Sequence, residues 1–194
     1  MKKNKIRDLE NNIFELMQEL QKLQKENVQQ EVKNYDFSTL NGKSNLLDYF
    51  EDKDKLLVIH NMGQGCRYCT LWGDGINSFL PHLESAISVI LVSKDSPNEQ
   101  RKFANDRNWN FKMASHKGKD YMKDQVSDEN YENSPGAVLY LRENNKIYRK
   151  NDCVFGPGDI YCSIWSLLSL AGISDSDWTP QFSYWKRPEK LDDG

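Results

Sequence analysis

Apolar residues recur along the first segment of the chain at alternating spacings of three and four: Ile6, Leu9, Ile13, Leu16, Leu20 and Leu23. This is a heptad seam, and the remaining faces carry Lys, Glu, Asn and Gln, so residues 1–34 are expected to hold an amphipathic helix with one narrow apolar stripe. Such an arm either pairs with a second copy of the chain or lies on its own domain. The polar stretch after it carries the turn signal Asn41-Gly42 and a short helix around Leu46 to Phe50.

From residue 56 the pattern changes. LLVIHNM, 56–62, is a continuous apolar run of strand length, as expected of a buried parallel strand. A helix begins at the next pair of cysteines, with Trp72, Ile76, Phe79, Leu80 and Leu83 at helical spacing and a kink expected at Pro81. ISVILVS, 87–93, reads as a second buried strand, and Ser96-Pro97 opens another helix as N-cap and first helical residue. FKMAS, 111–115, is a weaker strand, followed by a polar connection over 117–133 with little pattern. GAVLYLR and KIYRK, joined by Glu143-Asn144-Asn145, form a hairpin. A last helix is expected over 159–171, with Asp159 as N-cap and Gly172 as its stop. The tail, 174–194, is rich in Trp, Tyr and Phe, and its first half is expected to dock on the domain.

Composition narrows the class. The chain has 194 residues, 26 Lys+Arg against 29 Asp+Glu for a net charge of −3, four cysteines and three histidines. That length can bury a core without disulfides, and the slightly acidic balance argues against nucleic acid or an anionic membrane as partner. No apolar leader or long apolar run is present, which reads as a cytoplasmic protein. In a reducing compartment each cysteine is core, metal ligand or redox group.

Cys66-Arg67-Tyr68-Cys69 stands where a buried strand passes through Gly63-Gln64-Gly65 into a helix. A cysteine at a helix N-terminus faces unpaired N–H groups and the positive end of the macrodipole, which favour thiolate, and Arg67 adds a cation. Cys69, three residues on, lies one turn behind. Cys66 is therefore the expected nucleophile and Cys69 the resolving thiol. A CxxC is also half of a zinc site; the further ligands on offer are His60, His82, His116, Cys153 and Cys162, without a second CxxC or HxxxH. Cys153 and Cys162 read as core.

The order strand, helix, strand, helix, hairpin, helix is that of a thioredoxin-like α/β fold, a central mixed sheet with helices on both faces. In such folds the proline corresponding to Pro135 is cis and lies against the CxxC, leaving the preceding Ser134 backbone to pair with a substrate. Laid on thioredoxin without gaps, VIHNMGQGC puts His60 at the position of thioredoxin's buried acid. His60 would then either shuttle the Cys69 proton or sit as a hydrogen-bonded core residue.

The segments LLVIHNMGQGCRYCTLWGDGIN, LVSKDSPNEQRKFANDRNWNFKMASHKGKDYMKD, SPGAVLYLRENNKIY and WTPQFSYWKR together resemble a bacterial family of predicted thioredoxin-like dithiol-disulfide oxidoreductases, the domain of unknown function 899 family. The resemblance runs over 35–187. It implies a fold of the alkyl-hydroperoxide-reductase-like branch over 35–173, an active-site role for Cys66 and Cys69, and the proline role for Pro135. Arg67, Tyr68 and Ser134 would face a protein or small-molecule disulfide, and an external thiol would return electrons without an organic cofactor or metal. The alternatives are a thiol peroxidase, although Met62 and Gly63 stand where peroxiredoxins carry their own pattern, or a zinc-binding or interaction module.

Overall fold

A computed structural model describes residues 2–126 and 132–184 of the chain. The heptad segment is a helix, α1 (Lys2–Glu26), and its end is tied to the domain. Asn151 Nδ2 donates to the Gln24 carbonyl at 3.0 Å and Lys150 Nζ to the Lys25 carbonyl at 3.1 Å, which satisfies groups that a helix C-terminus leaves unpaired. No described helix is long and apolar enough to cross a membrane.

One sheet organises the domain. Its strands are β1 (Gln30–Val32), β2 (Asp36–Thr39), β3 (Gly42–Asn45), β4 (Lys55–Asn61), β5 (Ser88–Ser93), β6 (Met113–His116), β7 (Gly136–Glu143) and β8 (Lys146–Val154), in the order β1-β8-β7-β4-β5-β6-β2-β3. β4, β5 and β6 run parallel, with Val58 beside Ile90 and Val92 beside Ala114. β7 joins β4 antiparallel, with His60 opposite Gly136. The β7–β8 hairpin closes through Asn144 and Asn145, both at positive φ (49° and 65°), the conformation that matches the twist of two-residue hairpins.

Alternation along the central strands divides the core into two layers. On one face, Leu56, Val58, Ile90, Val92, Val138 and Tyr140 pack with Phe50 of the 3₁₀ turn Leu46–Phe50 and with Tyr121 of α5 (Lys119–Asp124). The other face, with Ile59, Val89, Leu91 and Ala137, is covered by α2 (Arg67–Ser78), α3 (Leu80–Glu84), α4 (Pro97–Asp106) and α6 (Ser163–Leu170). The architecture is the mixed sheet with helices on both sides of a thioredoxin-like fold.

Several elements differ from the sequence pattern. The helix after the cysteines is two helices, because Phe79 leaves helical geometry and Pro81 opens a new turn. Within α2, a Cβ on Gly73 would come within 2.4 Å of the Trp109 ring, so this glycine admits the indole against the helix. The last helix starts at Ser163, not at 159. The Asp159 carboxylate is used to close a turn, taking the N–H groups of Gly156 (2.9 Å), Tyr161 (2.8 Å) and Cys162 (3.0 Å). The β2–β3 hairpin, turned at the Asn41-Gly42 signal, and α5 carry little apolar pattern of their own; both are short polar segments held by the buried aromatics Phe37 and Tyr121. Of the tail, Trp178 packs edge-on against Trp165 (6.0 Å) and the Phe182 carbonyl takes a hydrogen bond from Arg107 at 2.6 Å. Residues 185–194, including Trp185 and Arg187, lie outside the described residues.

Candidate active site

Strand β4 delivers the chain to the sheet's carboxyl edge at Asn61, and a tethered loop carries it to the cysteines. Asn61 Oδ1 accepts the Gly63 N–H at 2.8 Å, and Asp95, just past β5, accepts the Gln64 N–H through Oδ2 at 2.6 Å. The Gly63 carbonyl accepts the Cys66 N–H at 3.0 Å. Gly63 has a φ of 115°, and a Cβ there would stand 2.9 Å from the Asp95 carboxylate. Only glycine satisfies both conditions. Asp95 was not singled out in the sequence, where an acid beside a serine and a proline marks only a helix start.

Cys66 is the N-cap of α2. Its backbone is extended (φ −99°, ψ 107°), and its sulfur takes the place of a capping oxygen, accepting the Cys69 N–H at 3.0 Å. The Thr70 N–H (3.1 Å) and hydroxyl (3.0 Å) both donate to the Cys66 carbonyl and fix the first turn. Cys66 is half-buried and Cys69 is 3% exposed; both are free thiols.

These contacts separate the two thiols electrostatically. Cys66 is lowered to about 7, first by the hydrogen bond from the Cys69 thiol and then by the N–H groups of Cys69 and Tyr68, against partial burial. Cys69 is pushed far up, first because its proton is held by the Cys66 sulfur, then by burial and by the Cys66 charge. The arrangement is one half-buried thiol held toward its thiolate and one buried proton carrier a turn below it.

The other expected site residues are placed unevenly. Arg67 is exposed, whereas Tyr68 turns inward against Trp72 (6.1 Å) and Trp165 (6.4 Å). Pro135 stands just before β7, one residue beyond the His60–Gly136 pair and so level with Asn61. Its peptide bond is not cis: every described peptide bond is trans, and the chain enters β7 extended, with the Pro135 carbonyl accepting the Phe155 N–H at 2.8 Å. Ser134 is buried beside it.

His60 is on the other side of the sheet. Alternation along β4 sends Asn61 toward α2, where its Nδ2 lies 3.5 Å from the Cys69 carbonyl, and sends His60 toward α5. There His60 Nε2 donates to Asn133 Oδ1 (2.8 Å) and Nδ1 accepts from the Tyr121 hydroxyl (3.1 Å). Burial lowers its pKa to about 4, so the ring is neutral. Of the two roles open to His60, the structure shows the hydrogen-bonded core residue rather than a shuttle contact with Cys69, and the His116 ring joins this buried cluster at 5.4 Å.

A family model described as "Bacterial protein of unknown function (DUF899)" matches residues 7–189. The chain belongs to this family. Among curated proteins none matches the sequence. Solved structures similar in fold include a cysteine-to-serine mutant of Xanthomonas campestris peroxiredoxin Q, with a TM-score of 0.52 and 14% identity over 72% of this chain and 96% of that one. Peroxidoxin BcpB of Mycobacterium tuberculosis gives 0.51 and 14% over 76% and 97%. A yeast mitochondrial 1-Cys peroxiredoxin gives 0.50 and 15% over 78% and 82%. At these identities the likeness is one of fold, and it agrees with the two-layer mixed sheet.

The remaining thiols differ from the first pair. Cys153, in β8, is raised to about 11 by burial, and burial also raises Cys162 at the start of α6. Cys153 lies within a strand; Cys162 is itself the N-cap of α6, but its side chain makes no capping hydrogen bond and burial outweighs the lowering by the Ile164 N–H. Among the described residues no group of three or more His, Cys, Asp or Glu side chains is arranged to hold a metal ion. His82 is exposed on α3.

Proposed function

We propose that this protein is a dithiol-disulfide oxidoreductase in which Cys66 is the nucleophile and Cys69 the resolving thiol. The observation that carries the reading is the Cys66 sulfur at the N-cap of α2, accepting the Cys69 N–H at 3.0 Å with the Cys69 thiol one turn behind it. The Cys66 thiolate attacks one sulfur of a substrate disulfide, forming a mixed disulfide and releasing the other sulfur as a thiolate. Cys69 then loses its proton and attacks Cys66, forming the Cys66–Cys69 disulfide and releasing the second substrate thiol. An external dithiol returns the two electrons.

The resolving step needs no dedicated base. Two of the causes that raise Cys69 are its hydrogen bond to the Cys66 sulfur and the Cys66 charge. Both vanish once Cys66 is in a mixed disulfide, so Cys69 becomes easier to ionise when its thiolate is required. The Met62 and Cys69 N–H groups, which lower Cys69, persist. Pro135, Ser134 and the exposed Arg67 frame the approach to Cys66 in this reading, and Tyr68 supports it from below.

A thiol peroxidase is the second reading, favoured by the fold similarity to peroxiredoxins and by the lowered Cys66. Insulin disulfide reduction and hydrogen peroxide consumption, assayed side by side, separate the two. The oxidoreductase loses activity in both Cys66→Ser and Cys69→Ser and stalls as a mixed disulfide in the latter, whereas a peroxidase keeps its first peroxide turnover in Cys69→Ser.

A further inference from the structure

Among the described residues the arm helix α1 is tied to the domain at its C-terminal end, by Lys150, Asn151 and Tyr161, and no residue of its stripe joins the domain's buried core. Ile6, Leu9, Ile13, Leu16, Leu20 and Leu23 are all exposed, from 38% at Leu20 to 64% at Leu16. An apolar row of this length left in water needs a cover. We propose that α1 pairs with α1 of a second copy of this chain as a parallel two-stranded coiled coil.

The heptad itself selects the occupant. Ile6, Ile13 and Leu20 fall at the first core position and Leu9, Leu16 and Leu23 at the second; the two β-branched isoleucines at the first position with leucine throughout the second favour two strands. One flanking pair is oppositely charged. In a parallel pair Lys5, just before the first core position, faces Glu10 of the partner subunit, just after the second, and the symmetric contact forms on the other side. In the single helix Glu10 is held by Arg7 at 2.7 Å, a pair that leaves its other oxygen free to be shared. The seam also continues into the domain. Leu20 and Leu23 line a groove with Val28, Val154 and Tyr161, which are 86%, 52% and 39% exposed. A parallel partner brings its own Leu23 and Val28 to this groove, whereas an antiparallel one would bring its basic first residues, Lys2, Lys3 and Lys5.

Sedimentation equilibrium of the full chain tests the proposal. The wild type is expected to be dimeric at about 100 µM, and Leu16→Glu monomeric with an unchanged thermal melt of the domain. Lys5→Glu should weaken the dimer about tenfold, and Lys5→Glu with Glu10→Lys should restore it. A monomeric wild type, or a Leu16→Glu variant that stays dimeric, would overturn the coiled coil. A charge swap without rescue would overturn the parallel orientation. None of these variants touches the thiol site, so disulfide reduction reports separately on the proposed activity.

Discussion

The backbone N–H of Cys69 points at the sulfur of Cys66 from 3.0 Å, and the Cys69 thiol donates to the same sulfur. One residue thus stabilises its partner's thiolate twice, once through backbone and once through side chain, and keeps its own proton by doing so. The consequence is kinetic, because only the thiolate reacts.

Alkylation of Cys66 by iodoacetamide should therefore titrate near pH 7, where an ordinary cysteine titrates near 8.5. The rate rises with pH up to that point and falls about tenfold for each unit below it, as the thiolate is protonated. Cys69→Ala removes the thiol donor and leaves the N–H, so the midpoint should move up by roughly one unit. Mass spectrometry of quenched samples assigns the label to Cys66.

Gly63→Ala should cost about 1–3 kcal/mol in urea denaturation, from the positive φ and from the approach of its Cβ to Asp95. In an Asp95→Ala background the steric part disappears, and the two changes should be non-additive by about 1 kcal/mol. Full additivity would mean that Asp95 does not confine this loop.

His60→Ala should cost about 2–4 kcal/mol, because Tyr121 and Asn133 lose their partner in a buried cluster. It should leave the Cys66 midpoint near 7. A variant that folds well but resolves the mixed disulfide more slowly would restore the proton-shuttle role to His60.

The same histidine makes the fold acid-sensitive. Burial depresses His60 to about 4, so between pH 6.5 and 4 the unfolded chain binds a proton that the folded chain refuses. Stability falls as pH drops through that window, by about 3 kcal/mol at most, and His116, lowered first by burial and then by the Lys94 charge, acts in the same direction. Chemical denaturation of wild type and His60→Phe at several pH values should show a shallower acid limb in the variant.

Asp74→Ala should loosen the back of α2. The Asp74 carboxylate takes a bidentate pair from Arg107 and the Trp109 indole N–H at 2.8 Å, and Arg107 also holds the Phe182 carbonyl of the tail. A loss of about 1–3 kcal/mol is expected, with faster proteolysis of the tail and a change in tryptophan fluorescence.

The parts of this fold written as local pattern were legible in the sequence. The apolar runs of β4 and β5 and the Ser96-Pro97 helix start, where Ser96 and Glu99 form a capping box, stand where periodicity and caps put them. Cys66 and Cys69 were readable as a pair because position at a strand-to-helix junction is itself a sequence signal. What the sequence did not disclose depends on contacts between distant residues. Asp95 anchors Gln64 from 31 residues away, and Trp109 explains Gly73 from another element. The face on which His60 lies is set by strand register, and an ungapped overlay on thioredoxin does not determine it. The start of α6 moved because Asp159 was drawn into a turn, a choice between two local hydrogen-bonding uses of one carboxylate.

The central claim is that Cys66 and Cys69 form a reversible two-electron couple. Equilibration of the full chain in glutathione buffers of graded poise, followed by acid quench, alkylation and peptide mass spectrometry, tests it most directly. The account predicts a single transition in which Cys66 and Cys69 lose their labels together as one disulfide, while Cys153 and Cys162 stay alkylatable after denaturation. Stoichiometric zinc that protects the pair, or oxidation confined to Cys66 without a bond to Cys69, would contradict it.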